Sequence, residues 1–219
     1  MEMNKKHIIH GICLLAIGYL SYHYPLFAFL LLALVFAVLL YMVVFGVVML
    51  ISKKFAWRRL TTAFAILAMA LAGLVLGLFK PMPESIIRSG TIGEDLRYAH
   101  GTDQGDRMNL KFYLPPFKAQ MKLRDSLRLV QVRQLVDMGQ VERPRDKFHA
   151  AFILHHNPMK DSSLYELAHT LALQAAEAPA LADDYQVQWL AKATYDRWML
   201  STGRPQKFDT QGGVSLSIE

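Results

Sequence analysis

Apolar positions crowd the first third of the chain. From Leu26 to Ile51 there is no charged residue and almost no polar one. At helical rise this stretch reaches about 39 Å, more than the roughly 30 Å hydrocarbon layer of a bilayer. A helix apolar all round needs a thick core or a membrane to hide it, and a small domain has no such core. Ile8 to Tyr24 is a second apolar segment, with Gly11 and Gly18 inside it and Tyr19, Tyr22 and Tyr24 at its end, where amphipathic rings favour the headgroup level. Pro25 suits the first turn of the helix that follows. Leu60 to Phe79 is a third segment of about 30 Å. The pattern predicts a transmembrane helical unit over residues 1–79, with spans at about 8–24, 26–51 and 60–79. Ile8 to Tyr24 is only marginally long enough to cross, so a segment lying in the interface is its alternative.

Beyond Phe79 the pattern changes. Lys80-Pro81-Met82-Pro83 stops the third helix, because proline cannot continue the hydrogen-bond ladder. Residues 80–116 read as a linker with little regular structure: Gly90, Gly93, Gly101 and Gly105 interrupt it, a short helix is expected around Glu94 to Tyr98, and Leu110 to Leu114 reads as extended. Residues 117–219 read as a small all-α domain with an extended C-terminal tail. Its first helix runs from Phe117 to Met138 with Gly139 as the cap. A buried helix then starts at Pro144 and ends in His155-His156-Asn157-Pro158. Ser163 and Glu166 fit a capping box ahead of Leu164, Leu167, Ala168, Leu171 and Ala175 at helical spacing. The last helix covers Asp184 to Leu200, with Gly203 closing it. The fold class is therefore mostly α, a three-span membrane unit followed by a small helical domain.

Charge sharpens this picture once it is divided along the chain. The net charge is +6 over 219 residues. In residues 1–79, Lys5, Lys6, Lys53, Lys54, Arg58 and Arg59 stand against Glu2 alone, whereas residues 80–219 carry 18 basic and 17 acidic side chains. The excess flanks the spans, where it sets orientation, and no nucleic-acid partner is implied. Both basic groups fall on the cytoplasmic side if the N-terminus is inside. That topology sends residues 80–219 to the extracytoplasmic side, the periplasm of a bacterium with an inner membrane; if Ile8 to Tyr24 does not cross, the assignment inverts. No small-residue cleavage site follows the first segment, so it reads as an uncleaved span rather than a signal peptide. Cys13 is the single cysteine, which leaves no intramolecular disulfide and no thiolate cluster. Gly73 and Gly77, with Ala68 and Ala72 nearby, offer a face for close helix approach, to another chain in a homo- or hetero-oligomer or to this chain's own bundle.

Candidate chemistry lies in residues 146–211. On the last helix Trp189, Ala193 and Leu200 share a row with Asp196. A carboxylate in an apolar row requires hydrogen bonds or a cation, and His156, Arg197 and Arg204 are the candidate partners. Polar residues along Arg204 to Gln211 are those of a segment pinned back onto the helices. Three blocks carry a resemblance: Ala151-Phe152-Ile153-Leu154-His155-His156, Tyr195-Asp196-Arg197-Trp198-Met199-Leu200, and Gly203-Arg204-Pro205-Gln206-Lys207-Phe208-Asp209-Thr210-Gln211. Over residues 148–211 the chain resembles an uncharacterised bacterial helical domain family marked by Gln-His, Asp-Arg and Gly-x-Pro-Gln-x-aromatic-Gly-Thr-Gln. His155 replaces the family's Gln, and Asp209 replaces its Gly at a position whose backbone φ is expected to be positive. The resemblance implies a helical domain with a shared polar cluster and no particular substrate.

Two readings of that cluster follow. In one, His156, Asp196 and Arg197 are catalytic, Asp196 orienting His156 as general base and Arg197 binding an anion, with Arg204, Gln206, Thr210 and Gln211 as ligand-binding residues. The chain is then a membrane-anchored hydrolase or transferase. In the other, the same residues form a buried network that locks the tail, and the chain is an anchored binding or assembly module. No nucleophile elbow, phosphate-cradling loop or zinc pattern is present, and no cofactor or metal is expected. The Asp103-Gln104-Gly105-Asp106 stretch lacks the ligand order and closing glutamate of a calcium loop.

Overall fold

The computed structural model describes residues 5–53 and 57–212. Among these it is helical throughout: eight α-helices, three short 3-10 turns and no strand. The helices are α1 (Lys5–His23), α2 (Phe27–Ser52), α3 (Trp57–Phe79), α4 (Ile92–Arg107), α5 (Lys118–Asp137), α6 (Pro144–His155), α7 (Ser162–Ala176) and α8 (Tyr185–Ser201). They divide into two compact units, an anchor of residues 1–82 with 107–114, and a head of residues 83–106 with 115–219.

In the anchor, α3 packs against both α1 and α2. α2 and α3 are long and apolar enough to cross a membrane, whereas the apolar stretch Ile8–His23 is shorter. Length and composition therefore mark two spans, not the three read from the sequence. Only 17% of the most apolar window of α2 and 22% of that of α3 is buried within the protein. A core helix of a soluble domain would have most of that surface covered. Gly73 shows how closely the bundle packs: a Cβ there would stand 2.5 Å from Ile17 Cγ2 of α1 and 2.8 Å from Leu31 Cδ1 of α2. The close-approach face is thus filled from within at Gly73, and Gly77 likewise looks onto the Ser21 carbonyl. At the end where α3 stops, the Lys80 ammonium lies over the Tyr22 ring at 5.1 Å.

Residues 107–114 belong to this anchor. They do not form the expected extended segment but a 3-10 turn, Leu110–Tyr113, because the Asn109 side chain accepts a hydrogen bond from the Lys111 N–H at 3.0 Å. Leu110 joins Ala28, Leu31, Ala70 and Leu74 in the anchor core, and Lys111 Nζ donates to the Lys80 carbonyl at 2.6 Å.

The core of the head lies among α6, α7 and α8, consecutive helices packed each on the next, with α5 against α6. Phe148, Leu154, Leu164, Val187 and Leu190 fill it, joined by Val132 from α5 and Leu96 from α4. Gly139 (φ 69°) and Gly203 (φ 74°) close α5 and α8 in the left-handed region, as expected of glycines placed there. α7 is capped differently from the sequence reading. Asp161, not Ser163, is the cap, its Oδ1 accepting from the Ser163 N–H at 2.8 Å. Asp184 caps α8, accepting from the Gln186 and Val187 N–H groups.

The largest departure is α4. The linker expectation gave residues 94–98 a short helix, but α4 runs 16 residues through Gly93, Gly101 and Gly105. Its buried residues are Leu96, Ala99, Asp103 and Asp106. They recur at helical spacing, and the second half of the stripe is carboxylate instead of hydrocarbon. A polar lock between α4, α5 and α6 supplies the missing cohesion.

Candidate functional site

Asp196 is fully buried on α8. Its partners are not His156, Arg197 or Arg204 but the tail. Oδ1 accepts from the Lys207 N–H at 2.7 Å and the Phe208 N–H at 3.0 Å, while Oδ2 accepts from the Thr210 N–H at 2.9 Å and Thr210 Oγ1 at 2.8 Å. Three backbone donors from one short stretch around one carboxylate make an anion nest filled by the protein's own side chain. Burial acts to raise the Asp196 carboxyl, yet these hydrogen bonds outweigh it and hold it below the ordinary carboxylate range. Asp209 makes the loop possible, with φ 53°, the left-handed backbone expected where it replaces glycine.

The remaining tail residues complete this lock. Arg197 Nε and Nη2 donate to Gln211 Oε1 at 3.0 and 2.8 Å, and Nη1 donates to the His155 carbonyl at 2.8 Å, satisfying a carbonyl at the end of α6. Gln206 Nε2 donates to Asp209 Oδ1, and its Oε1 accepts from the Gln211 N–H. Gln211 Nε2 donates to the Ala193 carbonyl at 3.1 Å. Arg204 leaves its backbone N–H on the Met199 carbonyl, and its side chain is exposed. Asp196, Arg197, Gln206, Thr210 and Gln211 thus share one hydrogen-bonded network, whereas the Arg204 side chain is exposed.

His156 serves a second cluster that sequence reasoning missed. Its Nδ1 is 2.8 Å from Asp103 Oδ2 of α4. Asp106 accepts two hydrogen bonds from Arg124 of α5, at 2.7 and 3.0 Å, and is paired with Arg128 as well. Arg128 has no exposed surface; it also bonds Asp125 at 3.0 Å and Thr102 at 3.2 Å and lies 3.9 Å from Asp103. Arg124 Nη1 reaches the Pro83 carbonyl at 2.6 Å. Two buried aspartates therefore share two arginines and one imidazole. The signal was present in the 96, 99, 103, 106 spacing, but a carboxylate on a helical stripe reads as a solvated face unless arginines at Arg124 and Arg128 are matched to it.

Above this cluster His100 stacks on His149 with ring centroids 4.9 Å apart, flanked by Phe148 and Phe152. His100 Nε2 and His149 Nδ1 are buried without a hydrogen-bond partner. Burial, then the neighbouring His100, Arg145 and Arg97, push the His149 imidazole down to about 4. It is neutral at pH 7. His169 is half-buried between Tyr195 and Trp198.

The arrangement ties the tail to α8, α8 to α6, and α4 to α5 and α6, through hydrogen bonds and ion pairs. The catalytic trio is not assembled: the base candidate is oriented by Asp103, and the carboxylate meant to orient it is sealed by the tail. Among the described residues no group of three His, Cys, Asp or Glu side chains is placed to hold a metal ion. Comparison with protein-family models, with curated proteins and with solved structures returns no match.

Proposed function

We propose that the chain is a membrane-anchored binding or assembly module, held by three helices in a bacterial inner membrane and presenting its helical head on the extracytoplasmic side. The observation that carries this reading is the exposed apolar surface of α2 and α3, whose most apolar windows are only 17% and 22% buried within the protein. Such a surface is stable only in lipid. Lys53 ends α2 and Arg58 and Arg59 open α3, so the loop between them carries the positive charge that favours the cytoplasmic side. The opposite end gathers Tyr22, Tyr24 and Lys80, residues suited to the other interface. α1 counts as a span in this proposal because its partner helix α3 receives it at Gly73 and Gly77, even though its own apolar length is short. A binding role is favoured over catalysis because Asp196 is engaged by the tail and His156 by Asp103, so the two do not form one site. The resemblance of residues 148–211 to an uncharacterised bacterial helical domain is consistent with that role.

The test is a pair of fusions to a phosphatase active only outside the cytoplasm. Fusion after Glu219 is expected to be active and fusion after Ser52 inactive. The reverse pattern would overturn the topology.

A further inference from the structure

A cavity of about 560 Å³ opens in the head where three helix ends converge, the starts of α4 and α6 and the end of α5. Its volume is that of a small-ligand site. Asp146 of α6 lines it and is 93% buried by its 7% exposure, yet it makes no hydrogen bond or ion pair with any described residue. The residue is buried, but its carboxyl oxygens are not sealed and can be reached from the cavity by a ligand's donor. Gly93 fits the approach: a Cβ there would stand 3.2 Å from Asp146 Oδ1, so a larger residue would crowd the carboxyl. Burial, opposed by Arg143, pushes the Asp146 carboxyl above its ordinary range. The same cavity is lined by Arg143, which is exposed and makes no ion pair among the described residues, and by Ile92 and Gly93, whose N–H groups open α4. Those N–H groups and the helix dipole favour an anion.

We propose that this cavity binds a small zwitterion, an α-amino acid or a short peptide, its ammonium on Asp146 and its carboxylate on Arg143 and the first N–H groups of α4. The two halves use a carboxyl and a guanidinium that line one small cavity without a hydrogen bond or ion pair between them. Glu142 also lines the cavity, so a purely anionic ligand would face two carboxylates, while a purely cationic one would face the guanidinium and the helix dipole. The proposal deepens the binding-module reading but is independent of the membrane topology, so the fusion experiment and the binding experiment fail separately.

The test is calorimetric titration of the full chain in detergent with L-alanine and with L-alanyl-L-alanine, against propionate and ethylamine as single-charge controls. Saturable binding of at least one zwitterion is expected, about tenfold or more tighter than either control, since each charge-assisted contact is worth roughly that factor. Which of the two zwitterions binds more tightly distinguishes a free amino acid from a peptide. Asp146→Asn and Arg143→Gln are each expected to weaken it by about tenfold or more with helix content unchanged by circular dichroism. Arg143 is a surface residue, so its variant reports even if Asp146→Asn folds poorly. Absence of saturable zwitterion binding, a control that binds equally well, or an Arg143→Gln affinity equal to the parent's would each overturn the assignment.

Discussion

A buried carboxylate is stable only where its oxygens are answered, and Asp196 is answered by three backbone N–H groups and one hydroxyl. Asp196→Ala would leave those donors facing a cavity. Because charged hydrogen bonds contribute about 1.5–3 kcal/mol each and are not additive, a loss of about 3 kcal/mol or more is expected. The tail should release before the helices melt, seen as faster tryptic cleavage after Lys207 at temperatures where the circular dichroism is unchanged. Uniform melting with no early cleavage would contradict the lock. His149 gives a second readout, in pH. Its imidazole titrates at about 4 in the fold against 6.5 when unfolded, so the unfolded chain binds more protons between those values. Stability contributed by the neutral ring is therefore complete above about pH 6.5 and lost as pH falls toward 4, by about 3 kcal/mol. Denaturation of the parent at pH 7 and pH 4, compared with His149→Leu, checks this: the variant should show a shallower acid slope. An equal slope in both would show that His149 does not carry the effect.

The elements show what was legible and why. The two long apolar runs, the caps at Gly139 and Gly203 and the stripe of α7 follow from hydrophobic period and turn chemistry alone. α4 did not, because its glycines read as breakers and its inner face is half aspartate. Its helix depends on Arg124 and Arg128, residues on another element whose relevance only the fold reveals. The same limit acted on the site. Asp196 was recognisable as a carboxylate needing partners, but a side chain's partners were sought among side chains, and backbone N–H groups leave no mark in a sequence. In the anchor, Gly73 was recognisable as a close-approach residue, though not which helix approaches. Its role is testable by contrast: Gly73→Ala forces a Cβ to within 2.5 Å of Ile17 and is expected to destabilise by about 1–3 kcal/mol, while Gly46→Ala, with nothing within 4 Å, should not. Equal thermal stability of the two variants in detergent would show that α1 and α2 do not close on α3 at that point.

At the scale of the whole molecule, two units with separate cores share one chain that passes between them three times. Residues 107–114 return to the anchor after α4 and leave again before α5. Leu110 and Leu114 pack with the anchor core that includes Leu74 and Leu78. The proposed extracytoplasmic placement of the head rests on the basic loop staying inside. The most direct measurement is labelling of a single exposed thiol in the tail, Lys207→Cys in a Cys13→Ser background, with a maleimide that does not cross membranes. Labelling in intact spheroplasts, equal to that after lysis, is the expected result; labelling only after the inner membrane is broken would contradict it.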